Sequence, residues 1–350
     1  MIVNARFRRQ SMTGVQRYAA EICNRLCDTV TEIIPPSQWG SGIRGHVWEQ
    51  IVLPRSARRN VLWSPCNSGP IRCRNHVITV HDMAVFDVPE GFTASFRCLY
   101  QYLLPRLARN AAMVLTVSEF SKCRLVDVTG INPEKIVVIP NGVSTAFLAD
   151  RQEDPHQSSN VPIEYAGPYL LAVGSLSPRK NISGLIDAWK RLYASGGTKT
   201  AKLFIVGGES PAVFGKNLLV NSGQFDIHFL GRVGDAKLAN LYDKAICYIN
   251  PSFYEGFGLP LIESFAAGCP VICSDRTAFP EVGGDVAEYF DPGNVDSIAH
   301  AIEVAIDRYQ DSTIRAKQSA IVKARSKLYS WDRSADAVKA ALSQVIARGE

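Results

Sequence analysis

Two glutamates stand in the most informative stretch of the chain, NPSFYEGFGLPLIESFAAGCPVICSD at 250–275, where Glu255 and Glu263 are separated by seven residues. A strand ends at Asn250, a glycine-bearing loop follows, and Pro260 suits the first turn of a helix that Gly268 and Pro270 then stop. Such a start aims the backbone N–H groups of Phe257, Gly258 and Leu259 outward at the positive end of the helix, where a phosphate fits. Glu255 precedes that site and Glu263 lies about one turn into the helix. Carboxylates accept hydrogen bonds well from sugar hydroxyls, so two of them around a phosphate site describe a sugar-nucleotide pocket. A lone Glu would be a loop charge or a solvated helix residue; the whole string argues otherwise.

Arg179 and Lys180 follow a strand in LLAVGSLSPRKN and precede a helix. Positive residues there oppose the helix dipole, which favours an anion nearby. His81, with Asp82 beside it, ends an apolar strand, the place where open α/β sheets bind ligands. Ser118 and Glu119 in LTVSEFSK follow a strand in the same way, or cap the helix of residues 119–127. His46, His76, His156, His228 and His300 have no such context.

Behind these residues, strand-like runs alternate with amphipathic helical stretches, the pattern of parallel sheets wrapped by helices. A first series comprises strands near 2–5, 61–63, 77–80, 113–117 and 136–139, with helices at about 14–26 and 93–110. The segment 150–167 is polar, holds two prolines and shows no periodicity, so it reads as a linker. A second series has strands at 169–173, 203–206, 227–230, 247–250 and 271–273, and helices at about 181–194, 235–245, 260–267 and 294–308. The tail from about 312 is mostly helical and is broken near 329–332. The expected organisation is a domain at 1–155, a second at 156–328 and a terminal helix at 329–350.

With 350 residues, 46% of them apolar, the chain can bury two cores of ordinary domain size. Its 38 basic and 33 acidic residues give a net charge of +5, too small and diffuse to make nucleic acid a partner. Residues 1–150 hold 17 Lys and Arg against 11 Asp and Glu, so the excess lies in the first half. The clusters Arg6/Arg8/Arg9, Arg55/Arg58/Arg59 and Arg72/Arg74 are solvated surface or contacts for an anionic membrane. The nine cysteines are scattered without metal-ligand spacing and are expected to be reduced and mostly buried. The opening MIVNARF reads as a strand rather than a leader, and no run of about 18 apolar residues occurs. A cytoplasmic protein, at most peripheral on the inner face of the cytoplasmic membrane, is expected.

The Glu pair set in YEGFGLPLIESFAAGCPVI resembles the signature of family 4 of the retaining glycosyltransferases. That resemblance extends to LLAVGSLSPRKN, FLGRV at 229–233, PEVGGDVAEYFDP at 280–292, TGVQRY at 13–18, VHDM at 80–83 and YSWDRSA at 329–335. It implies an α/β chain with the GT-B fold, two Rossmann-like domains facing a central cleft, and a last helix that packs back on the first domain. It assigns diphosphate binding to Arg179 and Lys180, a backbone contact to the nucleobase near Val233, closure over the donor to Gly14, and the acceptor side to His81. Many relatives carry Arg where this chain has Ser175, so one phosphate contact passes to Arg179. No acidic pair stands in a strand-end loop, and a metal-independent enzyme without cofactor is expected.

The expected reaction moves a hexose from a nucleotide diphosphate sugar to a hydroxyl of a glycan or lipid-linked oligosaccharide acceptor. In it Lys180 and Arg179 stabilise the leaving diphosphate, Glu263 holds the ribose and Glu255 the sugar. MIVNARF, TGVQRYAAEI and VHDMAVF resemble the bacterial mannosyltransferase branch, which points to GDP-mannose. Alternatives are a sugar-nucleotide epimerase of the same shape and an inactive scaffold.

Overall fold

The computed structural model describes residues 1–57, 60–148, 167–198, 200–208 and 222–349. They form two compact units, Met1–Gly142 with Ser330–Glu350, and Val143–Tyr329. The expected domain boundary at 155/156 lies outside the described residues, as do all of the expected linker but Gly167, and Arg58, Arg59 and His156.

The first unit runs through β1 (Ile2–Asn4), α1 (Gly14–Arg25), β2 (Thr31–Ile33), α2 (Gly42–Ala57), β3 (Leu62–Ser64) and β4 (His76–Thr79). It continues with α3 (Ala84–Asp87), α4 (Ala94–Asn110), β5 (Met113–Thr116), α5 (Glu119–Thr129) and β6 (Ile136–Val138). All six strands are parallel, in the order β2-β1-β3-β4-β5-β6. Strands β3, β4 and β5 are buried at every residue, as expected where helices cover both faces of a parallel sheet. One core cluster joins Ile78, Val80, Val114 and Leu125 to Leu103, Leu104 and Leu107 of α4, and a second joins Trp48 and Leu53 of α2 to Ile2 and Leu62. The chain leaves β1 for β2 and returns to set β3 on the other side of β1. The order therefore reverses between β1 and β3.

The second unit contains β7 (Tyr169–Val173), α6 (Ile182–Ala194), β8 (Lys202–Val206), β9 (Ile227–Gly231), α7 (Asp235–Lys244) and β10 (Tyr248–Asn250). After these come α8 (Leu259–Ala266), β11 (Val271–Ser274), α9 (Phe279–Gly283), β12 (Glu288–Phe290), α10 (Val295–Tyr309) and α11 (Ser312–Ser326). Its sheet is also parallel, in the order β12-β11-β10-β7-β8-β9, and reverses between β7 and β10. Leu170, Leu203 and Ile249 from the strands pack against Leu185, Ile186 and Trp189 of α6 and Ile298 and Ile302 of α10.

Helix α12 (Trp331–Gly349) completes the first unit. The Trp331 ring meets Tyr18 of α1 edge-on at 6.0 Å, Asp332 pairs with Arg25 at 2.5 Å, and Ser334 Oγ donates to the Pro140 carbonyl at 2.6 Å. Gly142 lies so close to this crossing that a Cβ would collide with the Trp331 backbone nitrogen. The nine cysteines are free thiols; Cys23, Cys247, Cys269 and Cys273 are buried, but Cys27, Cys98 and Cys123 are exposed, contrary to the expectation of mostly buried thiols. Cys98 and Cys123 ride on the outer faces of α4 and α5.

Candidate functional site

In a doubly wound sheet the crevice forms at the carboxyl ends of the strands where the order reverses. In the second unit that place lies between β7 and β10, and the two loops leaving these strands hold most of the residues singled out from the sequence. After β7, Gly174 and Ser175 lead into a short 3-10 turn at Pro178–Lys180; Asn181 then takes φ 51° before α6 begins. After β10, residues 251–258 form the loop to α8. The Phe253 N–H donates to the Arg179 carbonyl at 2.8 Å, which ties the loops together.

Across that junction Lys180 Nζ forms an ion pair with Glu255 Oε1, and Arg179 Nη1 lies 3.4 Å from Oε2. Lys180 and Glu255 are each 8% exposed, so neither is the solvated surface charge that its residue type alone would suggest. The anion that the basic residues require is Glu255 itself. Burial pushes the Glu255 carboxyl upward, but Lys180 and then Arg179 outweigh it and hold the group below the usual carboxylate range. Both cations face the Glu255 carboxylate, beside the start of the helix that carries Glu263.

That start is built as the sequence suggested. Gly258 is the N-cap in a left-handed conformation at φ 99°, and Pro260 sits in the first turn. Phe257 is buried, and Glu263, one turn in, is 6% exposed rather than solvated. The Glu255 N–H donates to Thr277 Oγ1 at 3.2 Å, anchoring the loop from the other side.

Sequence reasoning missed a buried polar chain behind Glu255. Ser252 Oγ donates to Asn250 Oδ1 at 2.6 Å and lies 3.4 Å from Glu255 Oε1, while Asn250 Nδ2 donates to the Tyr248 hydroxyl at 2.7 Å. Tyr248, Asn250 and Ser252 are all buried. The alternation of polar residues in YINPS was the only signal, and in a strand end it is ambiguous. Of the other assigned residues, Ser175 is exposed in the β7 loop, its hydroxyl 3.3 Å from Ser177 Oγ, and Val233 lies beyond β9, further along the same sheet edge.

Gly14 and His81 belong to the first unit. Gly14 begins α1, and four residues on, the Tyr18 ring meets the His81 ring edge-on at 4.7 Å. His81 Nε2 lies 2.8 Å from the Pro65 carbonyl, and its backbone N–H donates to Asn67 Oδ1 at 2.8 Å. Burial holds the imidazole below its ordinary value despite the Pro65 carbonyl, so the ring is neutral near pH 7. Asp82 Oδ1 accepts from the Ala84 N–H at 3.0 Å, and Ser118 Oγ accepts from the Ser121 N–H at 3.1 Å, which gives Ser118 the capping role.

The same unit holds a buried carboxylate that lies in none of the sequence motifs. Glu49 of α2 is wholly buried and accepts from Asn4 Nδ2, Ser68 Oγ and Arg6 Nη1, each at 2.8 Å, with His46 Nδ1 at 3.1 Å. It stands beside the reversal between β1 and β3. His76 is buried next to it on Ser64 and is pushed down to about 4 by burial.

Two family descriptions match the sequence, "Glycosyl transferases group 1" over residues 155–322 and "Glycosyltransferase Family 4" over residues 61–147. The chain is 32% identical over 272 residues to O-antigen chain mannosyltransferase B of Escherichia coli, covering 75% of this chain and 68% of that one. It is 30% identical to O-antigen chain mannosyltransferase RfbU of Salmonella typhimurium, with 79% and 75% covered. In fold it is similar to HepE of Anabaena, crystallised with UDP and glucose, at a TM-score of 0.74 and 17% identity over 98% of both chains.

Proposed function

Because the chain belongs to the family 4 glycosyltransferases and has the GT-B fold, we propose that it transfers mannose from GDP-mannose, with retention of configuration, to a hydroxyl of a lipid-linked or polysaccharide acceptor. The observation that carries the site is the pairing of Glu255 with both Lys180 and Arg179 at the start of α8. The choice of mannose rests on the relatives named as mannosyltransferases and on the opening motifs of the first unit.

In this reading the donor diphosphate takes Lys180 and Arg179 as its counter-ions, and the N–H groups of Phe257, Gly258 and Leu259 face a phosphate oxygen. Glu263 holds the ribose hydroxyls. Released from its cations, Glu255 accepts hydrogen bonds from the sugar. The acceptor hydroxyl attacks the anomeric carbon from the face that the diphosphate leaves: the new C–O bond forms as the bond to the β-phosphate oxygen breaks, and the hydroxyl proton passes to that oxygen. Retention follows without a protein nucleophile. Lys180 and Arg179 act where charge develops, which makes them worth more in the transition state than in the ground state. Gly14 is assigned to closure over the donor, Ser175 to the loop that holds the diphosphate, Val233 to the nucleobase through its backbone, and His81 to the sugar or to orienting the acceptor.

We place the protein at the inner face of the cytoplasmic membrane. Among the described residues no helix is long and apolar enough to cross a membrane. Support for surface binding comes from α2 and α4, which carry Arg44, Arg55, Arg97, Arg106 and Arg109, whereas their one acid, Glu49, is wholly buried. Ile43, Val47 and Ile51 are exposed one turn apart on α2, Ile43 at 79%. Apolar residues beside cations suit the interface of an anionic bilayer. Co-sedimentation with phosphatidylglycerol vesicles that salt abolishes is expected; equal, salt-insensitive binding to phosphatidylcholine would refute the surface.

The donor is tested by acceptor-dependent nucleotide release. GDP-mannose should release GDP only when an O-antigen-type acceptor is added. Release from another sugar nucleotide in its place would refute mannose and leave the family assignment standing.

A further inference from the structure

The carboxyl edge of the second sheet holds a third cation whose position depends on several local departures from regular structure. Ile205 of β8 pairs with Phe229 of β9, but Val206 pairs with Gly231, so Leu230 is an extra residue in β9. Gly231 then takes φ 65°, the left-handed region that glycine enters without strain. Bulges of this kind re-aim the side chain that follows, and here that side chain is Arg232. Room for it comes from Gly208, just past β8. A Cβ there would collide with Arg232 Nε and stand only 2.9 Å from Cγ and 3.0 Å from Cδ. Arg232 therefore lies across the end of β8.

The same edge continues toward the diphosphate residues. Gly207 backs onto Gly174 so closely that a Cβ would collide with the Gly174 carbonyl oxygen, and Gly174 begins the loop that carries Arg179 and Lys180. Those two cations are held by Glu255, whereas Arg232 makes no ion pair with any described acidic residue. β9 lies two strands from β7, about 10 Å at the usual strand spacing. A nucleotide spans such a distance between its diphosphate and its base.

We propose that Arg232 reads the nucleobase of the donor, its guanidinium donating in parallel to O6 and N7 of guanine. The proposal rests on the reading of the donor as a GDP-sugar. The planar fork of arginine matches two adjacent acceptors. Adenine presents an amino group in place of O6, and a pyrimidine has no N7, so the same fork rejects both.

Calorimetric titration of wild type, Arg232→Ala and Arg232→Lys with GDP, IDP, ADP and UDP tests this. Wild type should favour GDP and IDP, which share O6 and N7. Arg232→Ala should weaken these two by about tenfold or more, and ADP and UDP by less than about twofold. Arg232→Lys keeps the charge but not the fork, so it should lose the preference as Arg232→Ala does. Equal losses for all four nucleotides would place Arg232 on the diphosphate and overturn the proposal, and so would unchanged binding. A wild type that prefers UDP or ADP overturns the GDP reading together with the proposal, and that result is seen before any variant is compared. The Arg232 side chain is exposed, so the variants should keep the wild-type Tm, which confirms that binding losses are not folding losses.

Discussion

Both units of this glycosyltransferase place a buried glutamate with basic partners beside the point where the strand order reverses, and the two pairs differ in how fully they are satisfied. Glu49 takes three bonds of 2.8 Å and a fourth partner at 3.1 Å, all from its own unit, from a position on a helix. Glu255 sits in a loop between two cations, one of them at 3.4 Å and with its side chain 25% exposed. A saturated carboxylate has no capacity left for a ligand, whereas one held by two cations can exchange them for a diphosphate. Residue type and burial are shared; what separates a packing device from a candidate site is spare hydrogen-bonding capacity next to a helix start.

The largest effect should come from the saturated site. Glu49→Ala leaves Arg6 buried without its partner, a change that costs about 3–5 kcal/mol. Urea denaturation should show the loss, while the folded fraction keeps its turnover. A variant as stable as wild type would remove the distinction between the two glutamates.

Lys180→Ala should lower turnover about a hundredfold or more, since a cation that acts on the leaving group contributes most where charge develops. Its residue type suggests a surface lysine of little consequence for folding. The structure revises that: Lys180 is buried against Glu255, so a loss of stability is expected as well. Near-normal turnover at saturating donor would detach the ion pair from catalysis.

A smaller contrast lies within the second unit. Glu263→Ala should mainly raise the apparent Kd for donor and Glu255→Ala should mainly lower kcat, each by about tenfold, because one is assigned to the ribose and the other to the reacting sugar. Titration and steady-state kinetics on both variants separate these effects. Unchanged donor affinity and rate in both would move the pocket elsewhere.

The smallest expected effect is on acid stability. The folded Glu255 group titrates below its unfolded value of about 4.3, so its contribution is fully present above that pH and is lost as pH falls through the folded value. Glu255→Gln should therefore flatten the decline of Tm below about pH 4.3 and leave the slope above it unchanged.

How much of this was legible in the sequence differs from element to element. Helix α8 could be placed because Pro260, Gly268 and Pro270 are local stop and start signals, and β7 and β8 because continuous apolar runs mark buried parallel strands. β2 and β12 went unseen: each has three residues at a sheet edge and is only partly buried, so neither carries a clear pattern. α2 was missed because it holds two glycines and Pro54 and is apolar on its exposed side as well as its buried one. Within the site, the ion pair of Lys180 with Glu255 spans 75 positions; the family resemblance assigns both residues to the donor but does not pair them. Glu49 had no such guide, and for Arg232, inside FLGRV, the resemblance marks only a backbone contact nearby. Glu49 depends on partners up to 45 positions away, and the course of the Arg232 side chain on a bulge that Gly231 alone signals.

Residues 330–350 leave the ribosome after the whole of the second unit, yet the first unit is built around them. Until α12 is synthesised, Tyr18 on α1 lacks the Trp331 ring, and the positions that will receive Val338, Leu342 and Val345 stay open to water. Domains generally fold as units from the amino end during synthesis. Here the order is inverted: the unit begun first is the last to close, and the continuous second unit can reach its final packing while the first is still waiting. A released chain truncated after Tyr329 should carry a protease-resistant second unit and a protease-sensitive first one.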